Sequence, residues 1–185
     1  MTGKSKLTES EVLNKIRNED LQWVDLQFVD LIGGLQHITL PAKEIDEGSF
    51  KAGIGKLDGS SIKGFKEIHE SDMIMRPDPS TYAVLPWYNS GHTTARMIVD
   101  IYEGGGHERF SRDSRYIAQK AVKKAAELGY DNTYWGPELE FFVFDSVKLT
   151  PSPAAVRDSW AGCGYEINSV EAPWSQENGK VPEVA

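Results

Sequence analysis

Apolar positions recur first at helical and then at strand spacing along the opening of the chain. Thr8-Glu9-Ser10-Glu11 has the form of a capping box, in which a hydroxyl and a carboxylate satisfy the free amides of a helix start. Val12, Leu13 and Ile16 follow on one helical face. From Leu21 the period becomes two, with Val24, Leu26 and Phe28 set against Asp25, Gln27 and Val29. Ile32-Gly33-Gly34 supplies turn chemistry and residues 35–40 resume the extended pattern, so a hairpin is predicted after the helix. Residues 53–65 are polar and poorly periodic, which predicts a long loop; loops above ~12 residues inside compact domains tend to carry function. Further strands are predicted at 72–76, stopped by Pro77-Asp78-Pro79, at 82–87 and at 93–102.

The charged, glycine-rich stretch 103–109 is the best candidate boundary. Beyond it, Tyr116, Ile117, Val122, Ala125 and Leu128 share one face of a helix predicted over 111–128, with Gly129 as its stop. Residues 132–145 read as an extended aromatic strand, and 146–185 as a Pro-, Ser- and Gly-rich stretch with one strand at 164–170. No repeat is visible. Residues 1–103 therefore read as a strand-rich α+β unit, and 104–185 as the start of a helix–strand unit that cannot cover its own faces. On this reading the chain is truncated.

Composition narrows the class. In 185 residues, 39% hydrophobic and 26% charged, 20 Lys and Arg stand against 28 Asp and Glu, a net charge of −8. That balance argues against nucleic-acid or anionic-membrane partners, which call for a local excess of positive charge, and suits a protein that holds metal cations. No apolar run approaches the ~18 residues of a membrane span, and the first ten residues carry no secretory stretch. Cys163 is the only cysteine, so neither an intrachain disulfide nor a thiolate metal cluster can form. A soluble, cytoplasmic protein is expected.

Two segments carry chemistry. In Gly136-Pro137-Glu138-Leu139-Glu140-Phe141-Phe142-Val143-Phe144-Asp145, strand geometry would project Glu138 and Glu140 to one face, about 6.6–6.8 Å apart at the backbone. Two such carboxylates repel unless a positive group lies beside them, and divalent magnesium or manganese suits hard oxygen ligands. Spacing alone leaves a solvated strand end with two inert glutamates equally open. In Leu57-Asp58-Gly59-Ser60-Ser61-Ile62-Lys63-Gly64-Phe65, an acid, a glycine and two hydroxyls permit a tight turn with convergent oxygens for a small cation or polar substrate. A plain surface loop is the competing reading. Gly55-Lys56 lacks the other residues of a phosphate loop, and Gly104-Gly105-Gly106 lacks those of a dinucleotide fingerprint. His37, His69, His92 and His107 show no ligand spacing. The five tryptophans read as packing residues, and nothing supports Cys163 as a nucleophile.

Together these segments resemble the glutamine synthetases of the prokaryotic type I class. The resemblance runs collinearly through Asp58-Gly59-Ser60-Ser61-Ile62 with Gly64-Phe65, Glu70-Ser71-Asp72-Met73, Arg76-Pro77-Asp78 and Pro86-Trp87. It continues through Arg112-Asp113-x-Arg115, the 136–145 segment, Tyr165-Glu166-Ile167 and Glu171-Ala172-x-Trp174. It implies a β-grasp N-terminal domain followed by the start of an α/β half-barrel catalytic domain. It also implies ATP-dependent ligation of ammonia to glutamate through γ-glutamyl phosphate. On the family pattern Glu138 and Glu140 are ligands to different members of a set of two or more Mg2+ or Mn2+ ions. Asp58 holds ammonium and assists its deprotonation, with Ser61 beside it. The site would form between subunits of a homo-oligomer, a dodecamer in the family, with glutamate, ammonium and ATP as small-molecule partners.

Residues that bind the nucleotide are not assigned. Ser114 stands where a proline is usual and Leu57 where an aromatic residue is common. Family members are much longer, so this chain by itself is expected to be inactive. The alternatives are a γ-glutamyl-amide ligase using another amine, and a non-catalytic β-grasp module that binds partner subunits.

Overall fold

The computed structural model of the chain describes residues 6–87, 93–151 and 163–168. Helix α1, Glu9–Asn18, starts where the capping box places it: the Glu11 amide donates to Thr8 Oγ1 (3.3 Å) and the Thr8 amide to the Glu11 carboxylate (2.8 Å). Its buried face is Val12, Leu13 and Ile16. Strands β1, Trp23–Val29, and β2, Leu35–Pro41, pair antiparallel from Trp23↔Pro41 to Val29↔Leu35. Asp30 closes their turn by accepting from the Ile32 and Gly34 amides and from Gln36 Nε2.

A five-residue helix α2, Glu47–Lys51, follows, capped by Asp46. Strands β3, Ile54–Asp58, β4, Asp72–Pro77, β5, Ala83–Val84, and β6, Thr94–Glu103, complete one mixed sheet of order β2-β1-β6-β4-β3, with β5 also on β6. β6 is its spine. Residues 94–98 run parallel to β1, and residues 99–103 pair antiparallel with β4. Its buried Ala95, Met97, Val99 and Ile101 join Val24, Leu26 and Phe28 of β1, Met73 and Met75 of β4 and the apolar face of α1 in one core. The class is α+β, as expected.

Two readings need correction in this part. Residues 53–65 are not wholly a loop, because 54–58 form β3. Its register on β4 shifts between Ile54 and Leu57, and that irregularity removes the alternation by which a strand is recognised. α2 escaped because five residues are too few to display a helical period. The strand expected at 82–87 is reduced to Ala83–Val84.

Helix α3, Ser114–Glu127, begins at Asp113 and ends before Gly129. It belongs to the same unit as the sheet, which extends to residue 133. None of its residues is fully buried, and Ile117, Val122 and Leu128 are exposed. The second unit starts at residue 134. Here the strand expected over 132–145 is not formed: residues 131–144 lie outside any helix or strand. β-propensity made the aromatic run look like a strand, but a strand also needs a ladder for its amides and carbonyls. No described strand is laddered against this segment. Phe142 and Phe144 still stack, with centroids 6.0 Å apart. Strand β7, Ser146–Pro151, and strand β8, Cys163–Asn168, then form an antiparallel hairpin. β8 corresponds to the strand expected at 164–170. Residues 169 and 170, the Glu171-Ala172-x-Trp174 motif, Trp160 and His92 lie outside the described residues. Among the described residues no helix is long and apolar enough to cross a membrane.

Candidate functional site

Asp58 is the last residue of β3 and caps a tight 3-10 turn, Gly59–Ser61. Its carboxylate gathers the turn around itself. Oδ1 accepts from the Ser60 amide (2.9 Å) and the Ser60 hydroxyl (2.7 Å), and Oδ2 accepts from the Ser61 hydroxyl (2.9 Å). These bonds, the Ser60 hydroxyl foremost and then Ser61 and the Ser60 amide, hold the Asp58 carboxyl below the usual carboxylate range. Asp58, Ser60 and Ser61 are all exposed. The result is an ionised, pre-oriented acceptor facing solvent, suited to a small hydrogen-bonding cation.

The backbone beneath it is fixed. The Gly59 amide donates to the Ser71 carbonyl (2.7 Å), and the Gly59 carbonyl accepts from Ile62 (3.3 Å) and Lys66 (3.2 Å). Phe65 ends the turn in the core, 5.9 Å from the Phe28 ring centroid and 4.9 Å from that of Phe110. Asp58 and Ser61, both singled out in the sequence, therefore meet in one structure. Ser60, the strongest holder of Asp58, was not assigned a role. Its signal was present, since an aspartate commonly bonds the amide two residues on. Asp78 and Ser80 repeat the geometry, with amide and hydroxyl distances of 2.9 and 2.7 Å.

The Arg76-Pro77-Asp78 and Arg112-Asp113-x-Arg115 motifs converge on each other. Arg115 pairs with Asp78 (2.5 Å) and reaches Asp100 (3.4 Å), while Arg109 pairs with Asp113 (2.9 Å) and Asp100 (3.2 Å). The buried Asp113 carboxylate also caps α3 through the Arg115 amide and accepts from the Ile101 amide of β6. For Asp78, burial pushes the carboxyl up, but bonds from Ser80 and Arg115 outweigh it and leave it below the usual range. Every carboxylate here is answered by a guanidinium, so the cluster fastens α3 to the sheet. Ser114 contributes as well, its hydroxyl donating to the Asp30 carbonyl (3.0 Å), a bond that a proline could not make.

Glu138 and Glu140 lie in the second unit, in the exposed segment without helix or strand. Their oxygens are the right donor type for Mg2+ or Mn2+. Among the described residues, however, no group of three or more His, Cys, Asp or Glu is placed to hold a metal ion. The pair fits such an ion in kind and supplies at most part of its shell.

Comparison with known proteins bears on both units. The model for the glutamine synthetase beta-Grasp domain matches residues 20–104, and that for the glutamine synthetase catalytic domain matches residues 111–178. The chain is 51% identical over 173 residues to the glutamine synthetase of Sulfolobus acidocaldarius, covering 94% of this chain and 35% of that protein. It is 44% identical over 173 residues to the glutamine synthetase of Aquifex aeolicus, covering 93% and 35%. In fold it is similar to the Plasmodium falciparum glutamine synthetase solved by cryo-electron microscopy, with TM-score 0.61, 18% identity, and 91% of this chain and 31% of that one covered. The chain spans about a third of the length of the curated relatives it matches.

Proposed function

We propose, because this chain belongs to the glutamine synthetase family, that it supplies the ammonium-holding turn and part of the metal-ligand set of an ATP-dependent ligase joining ammonia to glutamate. The observation that carries the reading is the Asp58 carboxylate, kept ionised by Ser60 and Ser61 while facing solvent. In this role Asp58 pairs with ammonium, and Ser61 keeps the receiving oxygen oriented. The lowered carboxyl pKa favours holding the cation over taking its proton outright. Asp58 therefore accepts that proton only as ammonia commits to attack, when nitrogen displaces phosphate from γ-glutamyl phosphate.

Glu138 and Glu140 would each help hold one of two or more Mg2+ or Mn2+ ions, which when bound offset charge on the ATP phosphate oxygens. The exposure of Asp58, Ser60 and Ser61 suits a site completed by a second subunit, so we place the complete enzyme among homo-oligomers. We also place the division between the β-grasp domain and the start of the half-barrel catalytic part at 103/104, a reading supported by the separate matches to 20–104 and 111–178.

The test is Asp58→Asn in a catalytically complete protein that contains this segment. kcat/KM for ammonium is expected to fall about 100-fold or more, the scale of a lost acid–base group, while the KM for ATP stays unchanged. Unaltered ammonium dependence would remove Asp58 from the site.

A further inference from the structure

We propose that Lys66 is a positioning residue for Asp58, clamping the 59–65 turn to the end of the β4–β6 pair and so holding the carboxylate in one orientation. The inference rests on the reading of Asp58 given above. Four backbone bonds fasten this turn, and three of them end on Gly59, the residue after Asp58: its amide to Ser71, its carbonyl from the Lys66 amide, and the same carbonyl from Ile62 within the turn. The Lys66 side chain doubles the second link. Its stem lies over Gly59, with Cγ and Cβ 3.0 and 3.1 Å from where a β-carbon on that glycine would stand. Its ammonium reaches the Glu103 carboxylate at 2.6 Å and Glu70 at 3.8 Å, and lies 5.7 Å from the Phe110 ring centroid.

The head is well enclosed, for the Lys66 side chain is only 15% exposed. Glu103 in turn is no free arm. It ends β6 and pairs in register with Met73 of β4, whose side chain is in the core. A lysine that covers the turn with its stem and grips the sheet with its head transmits the rigidity of the sheet to the residue beside Asp58. His69 and Asp72 share the polar cleft with Lys66, Glu70 and Glu103.

The test uses the chain as it stands and reads Asp58 directly, by carboxyl 13C titration together with amide exchange. Lys66→Met is expected to raise the Asp58 titration midpoint, because looser Ser60 and Ser61 bonds favour the charged form less. Amide exchange at Gly59 and Lys66 should quicken about tenfold while the β1 and β6 core amides keep their rates. Lys66→Arg should restore both. Glu103→Gln separates the clamp from simple charge effects and stands in if Lys66→Met fails to fold. Removing a negative charge by itself lowers the Asp58 midpoint, because it relieves Coulomb repulsion of the carboxylate, whereas releasing the clamp raises it. An unchanged or lowered midpoint in Glu103→Gln overturns the proposal, as does general loosening of the core. Neither readout involves ammonium, so failure of the clamp and failure of the ammonium assignment are distinguishable.

Discussion

At Gly59 an added β-carbon would lie 2.6 Å from Met73 Sδ, closer than real contacts allow, and a tight 3.0 Å from Lys66 Cγ. Met73 is buried in the core and cannot yield outward. Gly59→Ala is therefore expected to cost about 1–3 kcal/mol in urea unfolding, the range for overpacking a filled site, and to displace Asp58 with it. A fully stable variant would mean the turn is looser than described. At this scale the sequence was informative in kind more than in role. An acid, a glycine and two hydroxyls did form one turn. That Gly59 is required by packing depends on Met73, fourteen residues away, and no local pattern reveals it. Glu138 and Glu140 were legible as a pair of like type, but their partners were not.

Among the elements, α3 illustrates how a surface helix is held without a buried apolar face. Its anchor is Asp113, only 1% exposed, bonded at once to the Ile101 amide, the Arg115 amide and Arg109. Asp113→Ala removes the cap and leaves Arg109 short of a partner, and should cost about 3–5 kcal/mol. The helical signal of residues 114–127 should fall with it. A change below about 0.5 kcal/mol, ordinary for a surface site, would contradict the anchoring role. Elements with a local signature, α1, the β1–β2 hairpin, β4, β6 and α3, were legible because capping, period and turn chemistry agree there. β3 was obscured by its register shift. β7 was missed because only Val147 and Leu149 alternate before Pro151. The 132–145 segment misled because aromatic content reports what a strand prefers and not whether a partner is present.

In the whole molecule, the glycine turn at 104–106 is tied down, although the sequence marks it as the boundary. Gly106 donates to the Glu103 carbonyl (2.7 Å), Arg76 Nη2 donates to the Gly106 carbonyl (2.6 Å), and a β-carbon on Gly104 would lie 2.6 Å from the Asp72 carbonyl oxygen. Residues 131–144, by contrast, are exposed and outside any ladder or helix. Limited proteolysis should therefore cut within 131–145 before it cuts within 103–110, because a protease needs an accessible segment outside helices and ladders. First cleavage at 103–110 would show that the turn opens more readily than its bonds suggest.

The central claim is that this segment serves ammonia–glutamate ligation, and segment exchange tests it most directly. The 173 residues matched would replace the corresponding third of the Sulfolobus acidocaldarius glutamine synthetase, to which they are 51% identical. Product would be measured from glutamate and ATP with ammonium or with an alkylamine. The chimera is expected to form glutamine within about tenfold of the parent rate, a barrier change near 1.4 kcal/mol, and to prefer ammonium. A folded, assembled chimera that made no glutamine, or that favoured the alkylamine, would contradict it.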